Sequence, residues 1–399
     1  MLKPCALVSA FRALALAALL SMVAPLPAFA REPAPRPANN PVGINLVRWF
    51  DPFYVKAVGD LVNASGGDWG YVTIVMIEDE RLNVARFQAF LDQCAISHLT
   101  PIIRVGTRFD VDREVWAKPD WGEPARWRRF FDSVRWPTAS RHLLVGNEPN
   151  LGREWGGEVQ PAEYARYLSH WIDIFADEPR YVIYNGALDA SNDTHLPDRM
   201  DEFEFIAGMR DGVSNIFEKL HGWASNPYHF WWSAEKRRFT FRAYDHELEV
   251  IGRDLPVIIV ESGLGHIDDP GQVADYYQMA FEAWQADSRV LAATPLFWNP
   301  EENRFWMFDV NRDGTLRESS PTYERIRRLK KSGGSRWLRI QGNDLVLEPE
   351  PAPIAVAPAV PMSANAQAGA SGAAPTLPPS MASPARLGVT AEEDPVRAR

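Results

Sequence analysis

His142-Leu143-Leu144-Val145-Gly146-Asn147-Glu148-Pro149-Asn150 is a short apolar run that gives out on a glycine and leaves a glutamate in the turn beyond it. Val257-Ile258-Ile259-Val260-Glu261-Ser262-Gly263 does the same later in the chain. Near-continuous apolar runs of this kind suit parallel strands buried on both faces. Working outward, eight such runs fall between Gly43 and Lys331: 43–47, 71–77, 101–105, 142–146, 181–184, 220–224, 256–260 and 290–297. Each is followed by a helical pattern, at 53–62, 84–96, 124–134, 161–176, 201–219, 241–251, 272–286 and 321–331. Most of these begin with Pro, Asp or Asn near the first turn, as helix starts should. Eight strand–helix units predict an α/β fold of the (β/α)8 TIM-barrel type, which takes ~250 residues before insertions. A doubly wound open sheet would carry a glycine-rich phosphate loop after its first strand, and Asn45-Leu46-Val47-Arg48-Trp49 is not one. There is no Walker loop.

The ends of the sequence read differently. Lys3 and Arg12, an apolar run from Ala13 to Val23 and the small-x-small site Ala28-Phe29-Ala30 predict a signal peptide over 1–30. The run has 11 residues, short for a membrane span, and Pro25 and Pro27 interrupt its continuation, so no stable membrane insertion is expected after cleavage. A Pro-rich leader over 31–42 follows. Residues 349–399 hold ten prolines and no aromatic residue, which predicts a disordered Pro/Ala-rich tail. The folded, catalytic domain is thus expected at 43–348, in a bacterial protein exported to the periplasm or medium. Of two cysteines only Cys94 outlives signal removal, which excludes a disulfide scaffold and a multi-cysteine metal or iron–sulfur site. With 42 basic against 52 acidic residues the chain is a poor candidate for wrapping nucleic acid, which calls for a basic face.

In a barrel of this kind catalytic groups project from the C-terminal ends of the strands. Glu148 ends the fourth and Glu261 the seventh, so the two side chains can face each other across the mouth. Two carboxylates at close quarters push their pKa values apart, and a protonated acid beside an ionised nucleophile is the equipment of glycosidic bond cleavage. Either glutamate alone is equally well read as a solvated strand end, since strand ends are ordinarily polar. A matching pair is harder to ascribe to chance.

Asn147-Glu148-Pro149 after strand four, with Glu261 after strand seven, resembles the retaining (β/α)8 glycoside hydrolases of clan A. The longer stretch Asn147 to Asn150, then Trp155 and Tyr164, is similar to glycoside hydrolase family 39. The resemblance spans the barrel in architecture but only short motifs in sequence. It implies that Glu148 is the general acid/base, that Glu261 is the nucleophile, and that Asn147 hydrogen-bonds the sugar 2-hydroxyl. In the clan a tyrosine after strand six often bonds the nucleophile, and Tyr228 of Asn226-Pro227-Tyr228-His229 stands there; a loop aromatic with a local partner is the plainer reading. His229 orients a sugar hydroxyl or is a satisfied structural histidine. Trp298, after strand eight, is expected to floor the sugar subsite. Trp155 and also Trp49, Trp223, Trp231, Trp232 and Trp306 extend a cleft or, for at least half of them, pack beneath long loops. Arg104, ending strand three, can hold Glu261 ionised through a charge-assisted bond. The clan more often has that arginine at strand two, and many relatives have Trp where Gly146 stands.

Asp309-Val310-Asn311-Arg312-Asp313-Gly314 has the oxygen spacing of a calcium loop, but its twelfth position is Ser320 and not glutamate. A hairpin turn is the better reading. The sequence and the resemblance together predict a retaining, endo-acting hydrolase of a β-linked polysaccharide, with a bacterial exopolysaccharide as the substrate expected by association, working as a monomer without metal or organic cofactor. The rivals are an inactive carbohydrate-binding barrel and a two-lobed periplasmic solute-binding protein.

Overall fold

Strands and helices alternate through the computed structural model, which describes residues 36–190, 196–229, 240–264, 269–299, 304–305, 307–313 and 315–350. The expected signal peptide and most of the leader and tail lie outside these residues, as do Trp231, Trp232 and Trp306. The side chains of His229 and Trp298 also lie outside the described parts. All described residues from Pro37 onward belong to one unit.

Eight parallel strands carry the fold: β1 (Gly43–Asn45), β2 (Gly70–Ile77), β3 (Leu99–Gly106), β4 (Arg141–Val145), β5 (Tyr181–Asn185), β6 (Trp223–Asn226), β7 (Val257–Ile259) and β8 (Val290–Ala293). β1 to β5 pair in sequence order as one sheet. β6, β7 and β8 form a second, whose free edge is taken by Leu188–Asp189, a short continuation of β5. In place of one unbroken ring of eight strands there are two sheets and two seams. At one seam the Asn185 side chain replaces the missing rung: its Nδ2 donates to the Ala224 carbonyl at 2.9 Å and its Oδ1 accepts from the Ala224 N–H at 2.8 Å. At the other, Val42 bridges Ala293 and Asn45 bridges Leu296, both in parallel sense.

Side chains alternate along these strands and feed two cores, as the period of two requires. Leu143, Val145, Ile103, Val105, Val257 and Ile259 pack outward with the helices. Ile102, Leu144, Tyr184, Ala224, Ile258 and Leu291 form a second, inner cluster. A hairpin of Leu338–Gln341 and Asp344–Leu347 sends Ile340 and Leu345 into that inner cluster. The alternation Leu338-Arg339-Ile340, with Gly342 at φ +64° in the turn, is the signal for it.

Helix starts follow local chemistry. Asp51, Asn83, Asp201, Asp269 and Ser320 each accept a backbone N–H in the first turn of the helix that follows. The helix expected over 201–219 is two, α5 (Glu202–Gly212) and α6 (Ile216–Lys219), with Val213 extended between them. Glycine, a β-branched residue, serine and asparagine in succession, Gly212 to Asn215, are poor helix formers. Gly212 is also pressed on the preceding helix, α4 (Pro161–Phe175): a Cβ there would lie 2.5 Å from the Ala162 Cα.

The leader is drawn into the fold earlier than its composition suggests. Asn40 is fully buried and donates to the Val62 carbonyl at 3.0 Å, and Asn39 donates to that of Leu291 at 2.7 Å. Residues 309–313 belong to an antiparallel hairpin, Phe308–Val310 with Leu316–Ser319, and Gly314 lies outside the described residues. Asp313 Oδ1 there accepts from Thr315 N and Oγ1 at 3.0 and 2.6 Å. Among the described residues no cluster of His, Cys, Asp and Glu is arranged to hold a metal ion, and no helix is long and apolar enough to cross a membrane.

Candidate active site

The turn after β4 is bent to a shape that few residues accept. Gly146 has φ +85° and Glu148, two residues on, has φ +34°. Left-handed backbone costs a residue with a Cβ about 1–2 kcal/mol, and such strain collects at functional sites. Here it is held by the neighbours: Gly146 N–H donates to Val105 O at 3.0 Å, and Glu148 N–H to Ala187 O at 2.9 Å, just past the break in β5. Tyr164 of α4 ties the same two strand ends, donating its hydroxyl to Val145 O at 2.9 Å and accepting from Gly186 N at 2.5 Å.

Gly186 is indispensable to this arrangement. A Cβ there would meet the backbone of Gly146, Val145 and Asn147 at 2.9, 2.9 and 3.0 Å, none of which can rotate away. Gly186→Ala is expected to cost about 1–3 kcal/mol of stability. It should also displace Asn147 and Glu148, while Gly333→Ala, where a Cβ meets nothing within 4 Å, should change neither. Denaturant unfolding and crystal structures of both variants check this.

Glu148 and Glu261 are both buried, and Asn226 at the end of β6 bonds the carboxyl of the first and the backbone of the second. Its Nδ2 donates to Glu148 Oε1 at 3.0 Å, and its Oδ1 accepts the Glu261 backbone N–H at 3.1 Å. From there the two surroundings diverge. Glu261 Oε1 accepts from Arg104 Nη1 at 2.5 Å and its Oε2 from the Tyr228 hydroxyl at 2.9 Å. Burial and the adjacent Glu261 hold the Tyr228 phenol well above its usual pKa, so it stays a donor. Among the described residues Arg153 is the one cation near Glu148, Nη2 to Oε2 at 3.7 Å. Burial pushes its pKa well up, the charges of Asp189 and Glu261 push further, and Arg153 opposes them. One carboxyl is thus fixed by charge-assisted donors and the other is pushed toward its protonated form, a division that suits nucleophile and acid.

Arg104 also donates to Asn147 Oδ1 at 2.8 Å. With that oxygen occupied, the Asn147 NH2 is left for acceptors, and the Glu154 carboxyl is one of them. Glu148, Glu261, Asn147, Tyr228 and Arg104, all singled out from sequence, therefore share one hydrogen-bonded group. Trp155 lies beside it, buried edge-on against Tyr164 and Tyr167 with ring centroids 5.2 and 5.8 Å away. It lines a cavity of about 50 Å³ with Arg104, Asn147 and Glu154, enough for a few water molecules. Trp49 and Trp223 do not extend a cleft. Trp49 packs on Phe87 and Phe90, and Trp223 is fully buried with its indole N–H on Glu247 at 2.6 Å.

Three residues of the site escaped the sequence reading. Asn226 was hidden because the apolar run placed β6 at 220–224, whereas the strand runs two residues further and ends on the asparagine. Arg153 and Glu154 lie in a short helical turn, Gly152–Glu154, where a charged pair ordinarily signals a solvated loop. Glu154 is instead buried, and burial lifts its pKa to about 7 against the pull of Arg153 and Arg104.

No family model and no curated protein matches this sequence. Among solved structures the chain is similar to a GH39 enzyme from Xanthomonas axonopodis pv. citri, at 13% identity and a TM-score of 0.46, over 74% of this chain and 69% of that one. It is similar to a monomeric beta-xylosidase from Caulobacter crescentus at 14% identity and a TM-score of 0.48, over 73% and 70% of the two chains. A third similar structure is a GH128 endo-beta-1,3-glucanase from Sorangium cellulosum, at 15% identity and a TM-score of 0.46, over 74% and 98%.

Proposed function

We propose that this chain is a retaining glycoside hydrolase built on a (β/α)8 barrel, exported, and cleaving β-linkages within a polysaccharide. The observation that carries the reading is the pair of buried glutamates bridged by Asn226, through the Glu148 carboxyl and the Glu261 backbone N–H, with the Glu261 carboxylate held by Arg104 and Tyr228 and Glu148 pushed by burial toward its protonated form. In the first half-reaction the Glu261 carboxylate bonds to the anomeric carbon, the glycosidic C–O bond breaks, and the Glu148 proton passes to the leaving oxygen. In the second, Glu148 takes a proton from water, the water oxygen bonds to the anomeric carbon, and the bond to Glu261 breaks. Arg104 and Tyr228 orient Glu261 throughout, and the Asn147 NH2 bonds the sugar 2-hydroxyl. Nothing in this sequence of steps calls for a metal or organic cofactor.

The test is hydrolysis of a panel of β-linked polysaccharides and aryl β-glycosides by the chain from residue 31, with the first-formed anomer read by proton NMR. A new reducing end appearing as the β-anomer supports the proposal, and fragments of mixed length from a polysaccharide support endo action. A first-formed α-anomer contradicts retention. Glycan binding without cleavage favours the carbohydrate-binding barrel. Hinge closure on a small ligand, seen by low-angle scattering, favours the solute-binding protein.

A further inference from the structure

The carboxyl that must act as acid in one half-reaction and as base in the next needs an environment that tolerates both forms. Glu261 already has a cation of its own in Arg104. Among the described residues the charged groups around Glu148 are Asp189 from the continuation of β5, Glu261 from β7, and Arg153 and Glu154 from the turn that follows Glu148 itself, and the titratable Tyr228 phenol faces it from beyond β6. Asn226 of β6 adds a neutral donor. Arg153 is the single cation among them. Its Nη2 lies 3.7 Å from Glu148 Oε2 and its Nε 3.5 Å from Glu154 Oε1, so the guanidinium stands between two carboxyls and is not locked to either by a short bond.

We propose that Arg153 is a positioning residue whose charge lets Glu148 alternate between proton donor and proton acceptor, Glu154 serving as its resting partner. This rests on the retaining-hydrolase reading above. While Glu148 carries its proton, the guanidinium is paired with Glu154. When that proton leaves with the departing sugar oxygen, a fresh negative charge appears on a side chain only 9% exposed, and Arg153 is the group beside it. Taking the proton from water in the second half-reaction returns Glu148 to its neutral form and Arg153 to Glu154. The one-third exposure of the Arg153 side chain gives it room for this small displacement.

The sign of the test follows. Turnover needs Glu148 protonated, so activity falls as pH rises through its pKa, which sets the alkaline limb. Loss of a neighbouring cation makes the carboxylate harder to form, so the limb of Arg153→Gln should move up by about one pH unit, and Arg153→Lys should restore it. The same shift should appear without turnover. The Glu148 carboxyl resonance, assigned by its loss in Glu148→Gln after labelling with carbon-13 glutamate, should titrate about one pH unit higher in Arg153→Gln than in the parent chain. A resonance that does not move overturns the inference whatever the kinetics show. A moved resonance with an unmoved alkaline limb overturns it too, because the pairing would then have no part in catalysis. A moved resonance in a chain that hydrolyses no β-glycoside of the panel leaves the charge pairing in place and sinks the hydrolase reading on which its role depends.

Discussion

Glu261→Gln is expected to lower kcat/KM on the order of 10⁴-fold or more, because no other group on the described strand ends is placed to bond the anomeric carbon. The amide has nearly the shape of the carboxylate, so the fold should survive, but Arg104 would then face a neutral partner and the covalent step would have no nucleophile. Glu148→Gln is expected to lose ~10²–10⁴-fold, the worth of a general acid. Its loss should be graded by leaving group: heavy for a sugar, which needs a proton, and light for an activated nitrophenol, which leaves without one. Initial rates on both substrate types, with circular dichroism to confirm folding, check the pair. Equal losses on both substrates for Glu148→Gln would remove it from the acid role.

The second large effect concerns Arg104→Met. Arg104 and Glu261 are both buried, 5% and 10% exposed in their side chains, and the bond between them is 2.5 Å long. A buried ion pair adds little net stability over an apolar pair, but removing one partner strands the other charge, at about 3–5 kcal/mol. Arg104 also fixes Asn147, so the variant loses the nucleophile's orientation and the amide's together. The expected result is a drop of about 3–5 kcal/mol in unfolding free energy and near-complete loss of turnover. The double variant Arg104→Met/Glu261→Gln should recover much of that stability and none of the activity. Chemical denaturation of the three chains measures it; a double variant no more stable than Arg104→Met would show that Arg104 stabilises by packing and not by pairing.

Much of this was readable in the sequence because burial leaves a simple trace. Strands buried on both faces read as apolar runs, and a glutamate directly after such a run can hardly be anything but a strand-end group, so Glu148 and Glu261 stood out. Arg104 stood out for the same reason, and the structure has it donating to Glu261 from β3, where the resemblance to clan A had led one to look on strand two. The seams did not announce themselves. The break in β5 depends on Gly186 lying against the Gly146 backbone and on Asn185 standing in for a rung, and both are tertiary facts that no period reveals. Asn226, Arg153 and Glu154 were missed on similar grounds. A polar residue ending a strand after alanine and serine, and a charged pair in a one-turn helix, carry no sequence signal of burial; only the packing around them encloses them.

The central claim is that Glu148 and Glu261 divide acid/base and nucleophile between them, and azide tests it most directly. Glu148→Ala opens a space beside the anomeric carbon where a small anion can attack the glycosyl-enzyme without help from a base. With an activated aryl β-glycoside, azide should restore turnover and yield the β-glycosyl azide. An α-glycosyl azide, or a rescue seen with Glu261→Ala in place of Glu148→Ala, would contradict the assignment.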